Sequence, residues 1–410
     1  MVQGPGSKGK VAWCIPPVLC GVTTAYRVVG AGLRRLGWEV VGVAAGAGAS
    51  READLRFVDG FFEFLLPSSA DVRQTAAGFV RWVAERRIDI VFSTGQMFSV
   101  AAAPALPAHV KLFNRCPNTT RYTYAVAASN LSRLVKIVVS APRQQRDLIR
   151  DWGVPPEKCV MIPPGIEVET FVPGTARDFN GVLRLVYLGR LDEASKGVMM
   201  LPRIARQLVE SGIEFHFDVI GGGPDSVRLG EAFGRPKLHD RITFHGSLDR
   251  LKSLPILQQA HMFLLPSRYE GQPWALLEAM ACGCVPIVSR IAGATDFAVD
   301  HGVSGFLCTV GDVSAFSKAI VNLAGDRRRL AALSMAAHQT IRDRFSSERA
   351  VRDHDSLFEA ALTQQPPACS PIPVSAIQVP NMMGPGWRRF VPQPVKNYIR
   401  TWAARFGKTV

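Results

Sequence analysis

Apolar positions along this chain fall into short, strand-length blocks separated by stretches of helical period. Val11 to Ile15 is such a block, followed by a loop with Gly21, an amphipathic stretch from Thr23 to Leu36, Gly37, and a second block from Glu39 to Val43. Strand, loop, helix, strand is the opening of a parallel α/β sheet. Further strands are expected at Phe61 to Leu65, Ile88 to Phe92, Val110 to Phe113 and Val135 to Val139, with a helix from Arg143 to Trp152. The Pro- and Gly-rich run Pro163 to Gly174 reads as a linker, after which the pattern restarts. Leu183 to Leu188, a helix over Val198 to Ser211, then Phe215 to Ile220, Ile242 to His245, Met262 to Leu265 and Val285 to Val288 make a second series. The expectation is an α/β protein of two Rossmann-like doubly wound domains facing across a cleft. Its divisions are 1–172, 173–345, a helix in 346–364, and a Pro-rich connector with a tail in 365–410.

Length and composition agree with two domains, since 410 residues is long for one core. No uninterrupted apolar stretch reaches about 18 residues, which argues against a membrane-spanning helix. Lys8 and Lys10 before Val11 imitate a secretion leader, but Pro16 and Pro17 break the apolar run early. Eight scattered cysteines without paired C-x-x-C elements fit neither zinc ligation nor a disulfide framework, and a reducing cytoplasm is expected. The net charge of +14 suits phosphorylated substrates or anionic lipid; no nucleic-acid-binding signature accompanies it. Six basic residues and no acidic ones lie in 365–410, interleaved with Trp387, Phe390, Tyr398, Trp402 and Phe406. Such a tail suits an anionic membrane surface, placing the protein at the cytoplasmic membrane face; docking of the aromatic residues on protein is the alternative.

The chemistry concentrates between Ser267 and Gly283. Glu270 stands in a Gly/Pro turn and Glu278 within a short apolar helix that Pro273 would open and Gly283 would close. Glu278 shares its helix face with Trp274, Ala275, Ala281 and Cys282, so its carboxylate needs a partner. If the whole stretch were helical, the two carboxylates would be about 12 Å apart, the scale of a nucleotide sugar. No G-x-G-x-x-G fingerprint follows the first strand, which disfavours a dinucleotide site there.

The E-x7-E pair Glu270 and Glu278 resembles the corresponding region of the retaining glycosyltransferases of family 4, which have the GT-B fold. Three further landmarks occur in family order: Pro163-Pro164-Gly165-Ile166-Glu167 with Phe171, Leu188-Gly189-Arg190-Leu191 with Lys196-Gly197, and Ile220-Gly221-Gly222-Gly223-Pro224. The resemblance implies transfer of a hexose or N-acetylhexosamine from a UDP- or GDP-linked donor to a glycan, lipid-linked or small-molecule acceptor. It assigns Arg190 and Lys196 to the leaving diphosphate, Glu270 to hydroxyls of the donor sugar and Glu278 to the ribose. Backbone around Gly271, Gln272, Pro273 and Leu277 would hold sugar and phosphate, and Gly21 would face phosphate from the first domain. No cofactor and no metal are expected. Asp353-His354-Asp355 imitates the D-x-D of metal-dependent relatives, but it falls in a late helix and reads as a solvated face.

Each residue also has a plainer reading: surface cations for Arg190 and Lys196, a helix-start acid for Glu270, a structural ion pair for Glu278 and a turn glycine for Gly21. Where family members often carry a histidine after the strand at Val110 to Phe113, this chain has Asn114, Arg115 and Cys116, and Asn114 is the candidate to orient the sugar. Gln96, Met97, Tyr122 and Tyr124 are candidates to line an acceptor site. A phosphorylase, a sugar-nucleotide epimerase or an inactive sugar-nucleotide-binding protein on the same fold stays open as an alternative.

Overall fold

The computed structural model describes residues 7–16, 20–45, 62–64, 71–175, 177–234, 238–365 and 370–380. The basic aromatic tail lies outside the described residues. The described chain divides into two compact units, one formed by residues up to Gly165 together with those from Ser347 onward, the other by Ile166–Ser346.

Unit 1 contains the strands β1 (Gly9–Cys14), β2 (Trp38–Ala44), β3 (Phe62–Phe64), β4 (Ile90–Ser93), β5 (Lys111–Cys116), β6 (Leu134–Val139) and β7 (Cys159–Met161). All pair in parallel in the order β3-β2-β1-β4-β5-β6-β7. Its helices are α1 (Gly21–Arg35), α2 (Val72–Glu85), α3 (Met97–Ala102), α4 (Arg121–Ala127) and α5 (Pro142–Trp152). Both faces of the sheet are covered, as a parallel sheet requires. Phe79, Phe98 and Leu112 pack in the core on one face, and Trp13, Phe92 and Phe113 in the core on the other.

Unit 2 repeats this plan. Strands β8 (Leu183–Leu188), β9 (Phe215–Ile220), β10 (Ile242–Gly246), β11 (Met262–Leu265), β12 (Val285–Ser289) and β13 (Phe306–Cys308) pair in parallel in the order β10-β9-β8-β11-β12-β13. Its helices are α6 (Glu193–Lys196), α7 (Leu201–Glu210), α8 (Ser226–Phe233), α9 (Arg250–Gln259), α10 (Trp274–Ala281), α11 (Thr295–Ala298), α12 (Val313–Gly325) and α13 (Arg327–Arg344). One core, including Leu185, Phe217, Phe263 and Ile287, binds sheet to helices. In both units the order reverses beside the first strand, between β1 and β4 and between β8 and β11. Such a switch opens a crevice at the carboxyl ends of the two strands, where doubly wound folds bind ligands.

The last helix, α14 (Ser347–Thr363), packs on α1 in unit 1. Gly32 permits the approach: a Cβ there would lie 2.2 Å from Val351 Cγ2. Phe358 of α14 reaches Phe92 and Phe113, with ring centroids 5.8 and 5.3 Å apart.

The helix boundaries correct one local expectation and extend another. Pro273 has ψ 111°, so it caps α10 in extended conformation and the helix begins at Trp274; Glu270 therefore lies in a loop and the all-helical spacing does not apply. Lys196 precedes Gly197 at a helix start, as expected, and also ends the short α6, with Gly197 turning left-handed at φ +62° between α6 and the 3-10 turn Val198–Met200. Gly283, at φ +73°, does close α10.

Candidate active site

The loops leaving β8 and β11 meet at the switch point of unit 2. Asp192 caps α6, its carboxylate accepting from the Ala194 amide at 2.9 Å and from the Ser195 hydroxyl at 3.0 Å. This short helix presents Lys196, whose ammonium donates to Glu270 Oε1 at 2.6 Å. Ser267 Oγ donates to the same oxygen at 2.7 Å. Glu270 is only 7 % exposed, yet its Oε2 has no hydrogen bond among the described residues. One oxygen is thus fixed and the other left as an acceptor.

A glycine lets a third loop close on them. A Cβ on Gly221 would lie 1.8 Å from the Gly189 carbonyl, so the loop after β9 can touch the loop after β8 only without a side chain. The Leu191 amide then donates to the Gly222 carbonyl at 3.0 Å. Beneath, the buried Tyr187 hydroxyl donates to the Arg190 carbonyl at 2.8 Å, and burial first, then the charge of Glu270, pushes its pKa up. This fixes the Arg190 backbone while its side chain stays exposed, with no hydrogen bond or ion pair among the described residues. Arg268 is occupied by Glu193.

Gln272 is 8 % exposed, and neither its Nε2 nor its Oε1 has a partner among the described residues. A carboxamide buried without hydrogen bonds costs free energy unless something else supplies them. Gly271 is half-buried beside it, and Leu277 lies in the unit 2 core.

Glu278 does receive the partner its apolar helix demands. Arg250 Nε of α9 donates to Glu278 Oε1 at 2.5 Å, Arg250 also bonds Glu167, and its guanidinium lies 4.2 Å from the centroid of the Phe171 ring. Sequence reasoning recognised the need for a cation but not Arg250, since nothing in the local pattern around it distinguishes it from other surface arginines. Glu167 and Phe171 belong with unit 2, because the chain divides at Gly165.

Several first-half candidates are otherwise engaged. Asn114 is buried and donates to the Val126 and Ala127 carbonyls at the end of α4, so its amide is a structural cap. The Tyr124 hydroxyl is buried against Asp147 at 2.8 Å. Tyr122 is exposed, Gln96 occupies the N-cap position of α3 without a side-chain capping bond, Met97 begins that helix, and Gly21 is the first residue of α1 rather than a loop residue. On α14, Asp355 is not merely solvated: it accepts from Lys8 at 2.9 Å and from Trp38 Nε1 at 2.7 Å, and His354 between the two acids is buried. Among the described residues no helix is long and apolar enough to cross a membrane.

Comparison with known proteins agrees with this arrangement. Residues 20–170 match the model of Glycosyltransferase Family 4, and residues 183–326 match that of Glycosyl transferases group 1. A colanic acid biosynthesis glycosyltransferase, WcaL, of Salmonella typhimurium is 28% identical over 218 residues, covering 52% of this chain and 53% of the relative. The amylovoran biosynthesis glycosyltransferase AmsK of Erwinia amylovora is 30% identical over 213 residues, covering 50% and 52%. The chain thus spans about half the length of the curated relatives it matches. The crystal structure of Anabaena Alr3699/HepE in complex with UDP-glucose superposes with a TM-score of 0.72 at 16% identity, over 86% of this chain and 100% of that one, a likeness of fold. With a family match in each half and two Rossmann-like sheets of the same strand order, the chain belongs to the family 4 glycosyltransferases of GT-B fold.

Proposed function

We propose that the chain is a retaining glycosyltransferase that moves a hexose or N-acetylhexosamine from a UDP- or GDP-linked donor to a glycan, lipid-linked or small-molecule acceptor. The observation that carries this reading is the unsatisfied polar set at the switch point of unit 2. Glu270 Oε2 offers an acceptor, the Gln272 carboxamide offers both a donor and an acceptor, and Arg190, on the loop that leads to Lys196, is a cation with no ion pair among the described residues. Sugar hydroxyls need donors and acceptors together, and a diphosphate needs cations; this set supplies both.

In the proposed reaction the donor C1–O bond breaks and the electron pair leaves with the diphosphate, while the acceptor oxygen bonds to C1 on the same face. Arg190 and Lys196 stabilise the developing charge by fixed electrostatics, and the departing phosphate takes the acceptor proton. Glu270 orients the sugar through its hydroxyls and is not required as a nucleophile. Glu278, held by Arg250, receives the ribose. HepE, the structural neighbour, is described with UDP-glucose, which favours a UDP-sugar as the first donor to try. Thermal unfolding of the full chain with a panel of nucleotide sugars identifies the donor, and proton NMR then reads the product. An α linkage from an α donor, formed in excess chelator, is expected; a β product overturns the retaining mechanism.

A further inference from the structure

We propose that unit 1 holds an oxyanion site of its own, in which Arg115, Ser140 and Gln144 at the carboxyl ends of β5 and β6 bind a phosphate or carboxylate group of the acceptor. Assignment to an acceptor rests on the glycosyl-transfer reading; the oxyanion site does not.

Arg115 stands on the sheet face of Phe113, two residues along β5, and is 5 % exposed. No carboxylate of the described residues is within ion-pair distance. Its Nη2 makes a long hydrogen bond to Ser140 Oγ at 3.4 Å, and its buried Nε has no partner among the described residues. Burial lowers its pKa to about 10, so the guanidinium still carries its charge at neutral pH. A buried charge with no counter-charge is strongly unfavourable, and a bound anion removes that penalty.

Gln144 adds a further buried donor. It is fully buried, its Oε1 accepts the Ser140 amide at 2.6 Å, and its enclosed Nε2 has no acceptor among the described residues. Arg115 and Gln144 therefore converge on Ser140 with unused N–H groups. The unused groups of Arg115 and Gln144 are donors, which complement an oxyanion and offer nothing to a cation; the buried His354, whose Nδ1 donates to the Ala350 carbonyl, adds one acceptor nitrogen in the same neighbourhood.

The test is calorimetric titration of the full chain with inorganic phosphate, in an Arg190→Ala/Lys196→Ala background that removes the donor-phosphate cations. Saturable binding is expected there. Adding Arg115→Gln should weaken it about tenfold or more, as loss of a charge-assisted contact does, whereas Arg115→Lys retains part of it. Circular dichroism checks that each variant folds, and Ser140→Ala, which leaves the charge in place, should weaken binding by a smaller factor. Glycerol phosphate should bind like inorganic phosphate and glycerol not at all. Absence of saturable binding, or affinity unchanged by both Arg115→Gln and Ser140→Ala, overturns the site. In the otherwise wild-type chain, UDP affinity should be unaffected by Arg115→Gln; a tenfold loss would give the anion to the donor and overturn the acceptor assignment. If UDP does not bind the wild type, the donor reading fails while the phosphate titration keeps its meaning.

Discussion

Glu270 and Glu278 show how differently one residue type is used within eight positions of chain. Glu270 is fixed through one oxygen and open at the other, whereas Glu278 sits in a buried ion cluster with Arg250. Their substitutions should separate accordingly. Arg190→Ala should weaken donor binding or turnover by roughly tenfold or more, the cost of about 1.5 to 3 kcal/mol for a charged contact, with thermal stability unchanged because its side chain is exposed and unpaired. Arg250→Met instead removes the guanidinium that pairs with the buried Glu278 and should cost about 3 to 5 kcal/mol in urea unfolding. An Arg250→Met/Glu278→Leu double variant should recover much of that loss, since it removes both charges. Equal losses in single and double variants would show that the pair is not coupled. The E-x7-E spacing made both carboxylates legible in the sequence. It carried no information on Arg250, because that partner comes from a helix 28 positions away whose own pattern gives no sign of the pairing.

At the scale of elements, the strand blocks were legible because parallel strands buried on both faces read as apolar runs. Leu183–Leu188, Phe215–Ile220 and Met262–Leu265 have the bounds their sequence suggests. Helix ends were less legible: Pro273 is compatible with a cap and with a first turn, and only its ψ distinguishes them. His261, between α9 and β11, is an element-level hinge of stability that the sequence did not reveal. Its Nδ1 accepts the Arg184 amide at 2.9 Å, and its Nε2 donates to the Asp178 carbonyl at 3.0 Å, so this arrangement requires neutral imidazole. Burial lowers its pKa to about 4. The unfolded chain therefore binds the proton first: the stabilisation is complete above about pH 6.5 and is lost as pH falls toward 4, a difference of about 3 kcal/mol. In His261→Asn the amide oxygen can still accept from Arg184 but does not titrate. Urea midpoints measured from pH 7 to 4.5 should fall less steeply for this variant than for the wild type.

For the whole molecule, the two-domain α/β class was legible from the repeated strand–helix pattern, and the family from four ordered motifs. The basic aromatic tail makes a further prediction of its own. Full-length chain should co-sediment with anionic vesicles and a truncation after Gln365 should lose most of that binding, since each basic side chain near such a surface contributes about 1 kcal/mol. Equal binding by the two would assign the attachment elsewhere. The return of α14 to unit 1 has a consequence for the order of synthesis. Phe358 completes the core around Trp13, Phe92 and Phe113, yet the whole of unit 2 is encoded before it. A ribosome therefore releases a finished second unit while the first still lacks one wall, and the earliest-made half of the protein is the last to be sealed.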